Sequence, residues 1–560
     1  MTPLQKKCRL CQNAFVVTDE DLVVLEKISP AFEGKKILLP PPTLCPNCRQ
    51  QRRLAFRNER KLYHRKCDQT GKEIISVYSA EKPCTVYDQQ VWWSDVWDEL
   101  ATGRDFDFNR PFFEQMQALS LVAPRPCIVN MSSENSLFTN HSAYNKNCYM
   151  CINSGYCEDL FYCSNYNLYS KNCTDCLAIQ RCERCYFCTN AKNCTFSSYL
   201  FECSTCSECA FCFDCQSCEN CFGCWNLRHK NYHFLNKPYS KEEYEKKLQE
   251  FTPKTPQQTL SFTERFWTEV RKNALHRDVT NLQAEGCTGD HLFNNKAVFD
   301  SYYTFACQDV AYAYDCGEVT TARDVTEPFK GESHYETHAC NLGYQLLVCS
   351  KCYESDHLFY CQYCWNSSNC FGCFGLKRKK YCILNKQYTK EAYEKLVPRI
   401  LEYMKTTGEY GEFFPFSLSP FGYNETIANE YYPLSKPDAA KLGMTWKSEN
   451  VSNRYQGARI PLDRPIEAIS DDITKQILTC AECGKNYRLI AQELAFYRMM
   501  KLPLPVECPD CRHKRRMALR NPRRLWPRTC SQCKKTIQTS YAPDRPEKVV
   551  CEKCYLKQVY

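Results

Sequence analysis

Between Cys173 and Cys224 every third residue is small and uncharged, and fourteen of those eighteen positions are cysteine. The other four are Ile179, Ala191, Ser197 and Leu200. Charged residues such as Asp175, Arg181, Glu183, Lys192 and Glu202 are confined to the two intervening phases. One phase therefore faces inward and two face out. A flat strand alternates with period two and an α-helix turns every 3.6 residues, so neither fits so long a run. A narrow solenoid does fit, with very short strands broken by turns and each coil stacked on the last. The phase begins at Cys148, Cys151, Ser154, Cys157, Leu160 and Cys163, then slips by one residue before Cys173.

A second copy lies 149 residues further on. Cys221, Leu227, Tyr232, Leu235, Asn236 and Tyr244 correspond to Cys370, Leu376, Tyr381, Leu384, Asn385 and Tyr393. Its inward phase reads Val298, Ser301, Thr304, Cys307, Val310, Ala313, Cys316, Val319, Ala322 and Val325, and resumes from Cys340 to Cys373. Cysteine exchanges there with Val, Ala, Ser and Leu, as a small buried residue can and a metal ligand cannot. The central cysteines are thus expected to fill a core. Both copies end in a hairpin and a helix, the first opened by the capping box Ser240-x-x-Glu243, which suits a lid over an open sheet edge. The spacing resembles the tight β-helix of insect antifreeze proteins. That resemblance implies fold only, because the outward threonine array of those proteins is missing.

Metal chemistry is expected at the ends instead. Cys8-x-x-Cys11 is followed by Cys45-Pro-Asn-Cys48, Cys480-x-x-Cys483 by Cys508-Pro-Asp-Cys511, and Cys530-x-x-Cys533 by Cys551-x-x-Cys554. Two such knuckles supply four thiolates to one tetrahedral Zn²⁺, so three structural zinc sites are expected. The segment AFVVTDEDLVVLEKI between the first two knuckles is rich in strand formers and predicts a small ribbon. A fourth ribbon keeps Cys67 but has Thr70, Asp88 and Val91 at the other ligand positions, which predicts a hairpin without its metal. His334, His338 and Cys340 form a weaker metal candidate, with a surface turn as the alternative.

Each CPxC knuckle runs into a basic arm. Residues 49–66 carry a net charge of +7 and residues 512–529 carry +8, against +9 for the whole 560-residue chain. Arg49, Arg52, Arg53, Arg57 and Arg60 recur 463 residues later as Arg512, Arg515, Arg516, Arg520 and Arg523. Clustered arginines suit phosphate contacts, so these ten residues are the expected nucleic-acid site, RNA or DNA. Tyr63 and Trp526, at matching positions, are candidates for stacking on unpaired bases. The competing expectation is that the arginines pair with acidic faces of the solenoids.

The fold expected is mainly β: two tandem narrow β-solenoids flanked by zinc ribbons, with short capping helices. Residues 1–88 hold a zinc ribbon and the degenerate ribbon, 89–130 a connector, 131–251 the first solenoid and its cap. Residues 252–286 are a helical linker, 287–400 the second solenoid and cap, and 401–470 a connector. Residues 471–529 hold a zinc ribbon with its basic arm, and 530–560 the last ribbon. The 44 cysteines without an apolar leader or a long apolar run point to a reducing cytoplasm and no membrane partner. No phosphate-binding GxxxxGK[ST], GxSxG or HExxH motif occurs, so no enzyme is expected. A zinc-binding scaffold for nucleic acid is the leading expectation. The alternatives are a protein-assembly scaffold using Tyr186, Phe187, Phe196, Phe211, Phe213 and Phe222, and a thiol or metal reservoir. The C-x-x-C…C-P-x-C-R termini resemble short zinc-ribbon domains. The layout as a whole resembles cysteine-rich zinc-ribbon proteins of candidate-phyla bacteria, a resemblance that implies no particular activity.

Overall fold

A computed structural model describes residues 2–327, 329–338, 341–448 and 456–560. Strand accounts for 31% and helix for 25%, so the fold is mixed α/β rather than mainly β as expected. The chain forms two compact units, Met1–Ile128 with Thr280–Ser448 and Val129–Val279 with Glu449–Tyr560. Each unit joins one terminal segment to one period-three region, and it is the N-terminal segment that goes with the second region. Among the described residues, no helix is long and apolar enough to cross a membrane.

The period-three regions wind as coils of parallel strands. In one unit Glu183 pairs with Thr195, Ser198 with Ala210 and Glu219 with Asn231, each a step of 12 residues. In the other, Gly289 pairs with Ser301, Tyr302 with Tyr314 and Asp356 with Ser368, again 12 apart. The one-residue slip is visible as Glu158 pairing with Lys171, a step of 13. The extra residue is absorbed where Asn165 and Tyr166 take successive positive φ values of 59° and 66°. Both coils end in an antiparallel hairpin and a helix: Lys241–Phe251 with its Ser240–Glu243 capping box, and Lys390–Thr407.

Period three has a backbone cause. The residue before each inward one is left-handed: Asn172, Asp175, Ala178, Arg181, Arg184 and Phe187 all have φ between 49° and 55°. Such a corner costs an L-residue roughly 1–2 kcal/mol, which only a strongly paired frame sustains. One left-handed corner per three residues and 12 residues per turn give four corners and four inward side chains in each coil. The bore is narrow, and residues such as Cys176, Cys188, Ala191, Cys212 and Cys215 are wholly buried in it.

Small size alone does not account for the cysteines. At many inward positions the N–H is accepted by a polar inward side chain one turn earlier. Cys176 N–H donates to Cys163 Sγ at 3.4 Å and Cys215 N–H to Cys203 Sγ at 3.4 Å. Ser and Asn do the same: Cys209 N–H meets Ser197 Oγ at 3.1 Å and Cys157 N–H meets Asn145 Oδ1 at 3.0 Å. The thiol in turn donates to carbonyls, as Cys203 does toward Phe201 O at 3.4 Å and Cys212 O at 3.4 Å. Cys, Ser and Asn are thus interchangeable because each closes backbone hydrogen bonds that the coil itself leaves open.

The first ribbon departs from expectation. Only Ala14–Val17 is strand, paired with Leu4–Lys7, and DEDLVVLEKI is the helix Asp19–Ile28. Thr18 and Asp21 form a reciprocal capping box that starts it, a signal that outranks the strand propensity of its valines.

Cys203→Ser keeps an acceptor for Cys215 N–H, whereas Cys203→Ala leaves that buried donor unmatched, a difference of roughly 1–3 kcal/mol. Urea unfolding is expected to rank the serine variant above the alanine one. Equal stability of the two would show that bore size alone matters.

Candidate metal centres and the arginine helices

Three groups of four cysteines bring their sulfurs within 4.8 Å of one another: Cys8, Cys11, Cys45 and Cys48; Cys480, Cys483, Cys508 and Cys511; Cys530, Cys533, Cys551 and Cys554. All twelve expected ligands are therefore gathered into three sites able to hold a metal ion. In each group the second knuckle is tied to the first by an N–H···S bond. Cys45 N–H donates to Cys8 Sγ at 3.3 Å, Cys508 to Cys480 at 3.2 Å and Cys551 to Cys530 at 3.3 Å.

The clusters are chemically divided among their thiols. A hydrogen bond from Cys48 leads the effects that bring Cys45 down to about 5, and the same pairing pushes Cys48 well up. Burial opposes ionisation of Cys530, but N–H donors from Cys551, Cys533 and Gln532 outweigh it and bring the thiol to about 6. Burial and its cluster neighbours push Cys554 up to about 12. One thiolate thus forms readily in each group and further ones are opposed by like charge. A divalent cation at the centre removes that opposition, and an all-sulfur tetrahedral donor set suits zinc.

The fourth ribbon keeps the frame without the ligands. Hairpin Tyr63–Lys66 with Glu73–Ser76 matches Trp526–Thr529 with Thr536–Thr539. Asp88 N–H still donates to Cys67 Sγ, at 3.2 Å. In place of a metal, the helix Gln89–Trp93 is held by packing. Trp92 is wholly buried with its ring 4.9 Å from Trp93 and 4.9 Å from Trp365.

Six of the ten arm arginines, Arg49, Arg52, Arg53, Arg57, Arg512 and Arg516, are buried rather than open to phosphate as expected. In one unit the helix Pro46–Leu54 grows out of the knuckle, with Cys45 as its N-cap. Arg49 Nε lies 2.6 Å from Asp324, Arg52 reaches Glu336 at 2.9 Å and Glu412 at 2.8 Å, and Arg53 lies 3.4 Å from Asp324. Arg57 stands beyond the helix end and pairs with Glu59 and Glu327. All four are buried, with at most 5% of the residue exposed.

The other unit repeats the arrangement. Helix Pro509–Met517 starts at Cys508, and Arg512 and Arg516 lie 2.7 Å and 2.8 Å from the two oxygens of Asp175. Arg512 also meets Glu493 at 3.0 Å. Arg512 and Arg516 are wholly buried. Arg60, Arg515, Arg520 and Arg523 are half-buried, and Arg515 pairs with Glu507 at 3.2 Å. Tyr63 is engaged too, donating to Glu425 at 2.7 Å. The competing expectation, pairing with the coils, describes the six buried arginines.

The acidic partners escaped the sequence reading, yet their signal lies in the same internal duplication. Asp175 and Asp324 are 149 residues apart and both are left-handed corners. One coil earlier stand Tyr162 and Tyr312, also corners, with Arg512 and Arg49 over their rings at 4.9 Å and 5.2 Å. Their hydroxyls donate to Glu493 at 3.2 Å and to Asp21 at 2.8 Å. The two locks differ one coil later. Glu336 serves Arg52 and Arg53, while Phe187 lies under Arg515 and Arg516 at 5.1 Å and 5.4 Å.

Two further expectations change. Tyr186, Phe187, Phe211, Phe213 and Phe222 are buried, the first two against Leu494, Phe496 and Tyr497, the others against Phe262 and Phe266. Only Phe196 of that set is exposed, with Arg184 stacked over it at 4.6 Å. His334 and His338 are buried in the coil rather than on a surface turn, and Cys340 lies outside the described residues. His334 occupies the inward phase, in space left by Gly331, where a methyl group would overlap Nε2. Continuing the count of three through Gly331, His334 and Thr337 was the available signal.

No protein-family model matches the chain, and no curated protein matches its sequence.

Two predictions follow from these contacts. Asp175→Asn removes the shared partner of two buried guanidinium groups and is expected to cost about 3–5 kcal/mol, against less than about 0.5 for Arg524→Ala on the exposed side of the arm. Chemical denaturation checks both, and a near-neutral Asp175→Asn would refute the lock. Burial lowers His334 from the ordinary 6.5 to about 4. Above pH 6.5 it is neutral folded and unfolded and contributes nothing to pH dependence. As pH falls from 6.5 toward 4 the unfolded chain gains a proton the folded one refuses, so stability drops by up to about 3 kcal/mol. His334→Leu is expected to make the thermal-stability profile shallower in that window, the remaining slope coming in part from His276 and His338, which burial lowers as well.

Proposed function

We propose that the protein is a non-enzymatic scaffold in which three structural zinc ions fix ribbons against period-three coils. The observation that carries this reading is the closure of each cluster by four cysteines, which leaves a bound zinc no position for a reacting water. The burial of both arginine helices supports it, since those residues are committed to internal docking. Outward-facing features remain for a partner. Tyr144, Tyr156 and Tyr169 stand exposed in a stacked row, with ring centroids 4.8 Å and 5.2 Å apart.

Nucleic acid is the second reading, now confined to the C-terminal arm. It is favoured by exposed Lys514 and Arg524, the latter 5.3 Å over the Trp526 ring, beside Arg515, Arg520 and Arg523. Metal analysis of protein purified without added zinc is expected to give three zinc ions per chain, one per cluster. A much larger number would favour a metal reservoir. For the second reading, fluorescence anisotropy with a single-stranded oligonucleotide is the test. Binding should weaken steeply with salt and fall in the variant Arg520→Ala, Arg523→Ala, Arg524→Ala. Binding unchanged by those substitutions would exclude this arm.

A further inference from the structure

In the Cys8–Cys48 and Cys480–Cys511 clusters the second knuckle is also the first turn of the arginine helix. Cys45 caps Pro46–Leu54, Cys48 lies inside it, and the lock residue Arg49 follows directly. Cys508, Cys511 and Arg512 stand in the same order on Pro509–Met517. The sulfurs and the guanidinium groups are therefore fixed to one rigid turn. At nine residues neither helix is long enough to persist alone. The lock does not make up the deficit, because removing so many charges from water offsets much of their attraction. Each helix is thus held by two things together, the cluster at its start and the carboxylates along its flank.

Resting on the zinc reading above, we propose that metal in the Cys8–Cys48 and Cys480–Cys511 clusters acts as a latch. While zinc joins the knuckles, Arg49, Arg52 and Arg53 stay seated on Asp324 and Glu336, and Arg512 and Arg516 stay seated on Asp175. Loss of zinc from a cluster releases its own helix and uncovers both the arginines and the corner carboxylate. The clusters are open to such control. Cys11 and Cys483 are exposed while the three partners of each are buried, so a chelator or thiol reagent reaches the metal through one sulfur. The N–H···S bonds from Cys45 and Cys508 survive metal loss but join only one sulfur of each pair.

Hydrogen exchange on the full chain tests the latch, with zinc release measured in the same sample. On chelation, amides of residues 48–54 and 511–517 are expected to exchange about tenfold faster or more, while those of 209–221 and 361–373 inside the coils keep their protection. Cys483→Ser should deprotect 511–517 and spare 48–54, and Cys11→Ser should do the reverse. Zinc release with no change in exchange overturns the latch and leaves zinc binding intact. Protein that carries no zinc overturns the zinc reading and the latch with it. Loss of protection throughout both coils shows global unfolding and also overturns the proposal.

Discussion

A left-handed corner at every third residue is the constraint on which the rest of this protein rests. It turns the chain sharply enough to close a coil in 12 residues and leaves a bore that admits four small side chains per turn. At many inward positions it also brings the N–H to a polar inward side chain one turn earlier. Cysteine is well matched to the resulting position because it is small, it accepts that N–H and it donates to a carbonyl. Serine and asparagine meet the same demand, and both occur at inward positions such as Ser170, Ser197, Asn145 and Asn295.

The same corners organise the outside. A side chain on a left-handed corner projects from the coil with its neighbours one turn away stacked above and below. Tyr312, Asp324 and Glu336 form such a column in one unit, and Tyr162, Asp175 and Phe187 form it in the other. Each column is a ready-made receptor for a row of arginines on a helix: a ring face first, a carboxylate next, then a carboxylate or a second ring. Charge segregation along the sequence thus becomes charge pairing within each unit. Arg49, Arg52, Arg53 and Arg57 of the +7 arm meet carboxylates hundreds of positions away in the same unit.

The three four-cysteine clusters are legible in the sequence, because a C-x-x-C pair carries its geometry in its spacing. The coil was legible through its period, and its 12-residue turn was not, since period three says nothing about how many corners close a circuit. The destination of the arginines is not legible in the sequence, for a definite reason. A basic run and a solvent-facing phosphate site look identical until the partner is known, and here the partners are single residues scattered on corners. At Asp19–Ile28 valine propensity points to strand, while the Thr18–Asp21 capping box starts a helix. The aromatics from Tyr186 to Phe222 lie in an outward phase, which on its own predicts exposure. Outward from a coil is not outward from a unit once helices Pro256–Asn273 and Ala491–Met499 lie over them.

The composition of the units has a consequence for how the chain comes to be assembled. Arg49 meets Asp324 at a sequence separation of 275, so during synthesis the first ribbon emerges long before its receptor exists. For that interval Arg49, Arg52 and Arg53 lack the carboxylates they later meet, and closing so distant a contact carries an entropic cost that slows docking. The C-terminal arm is in the opposite situation, reaching a coil completed hundreds of residues earlier. The two locks, alike in their atoms, are thus made in opposite order: one receptor waits for its helix, and one helix waits for its receptor.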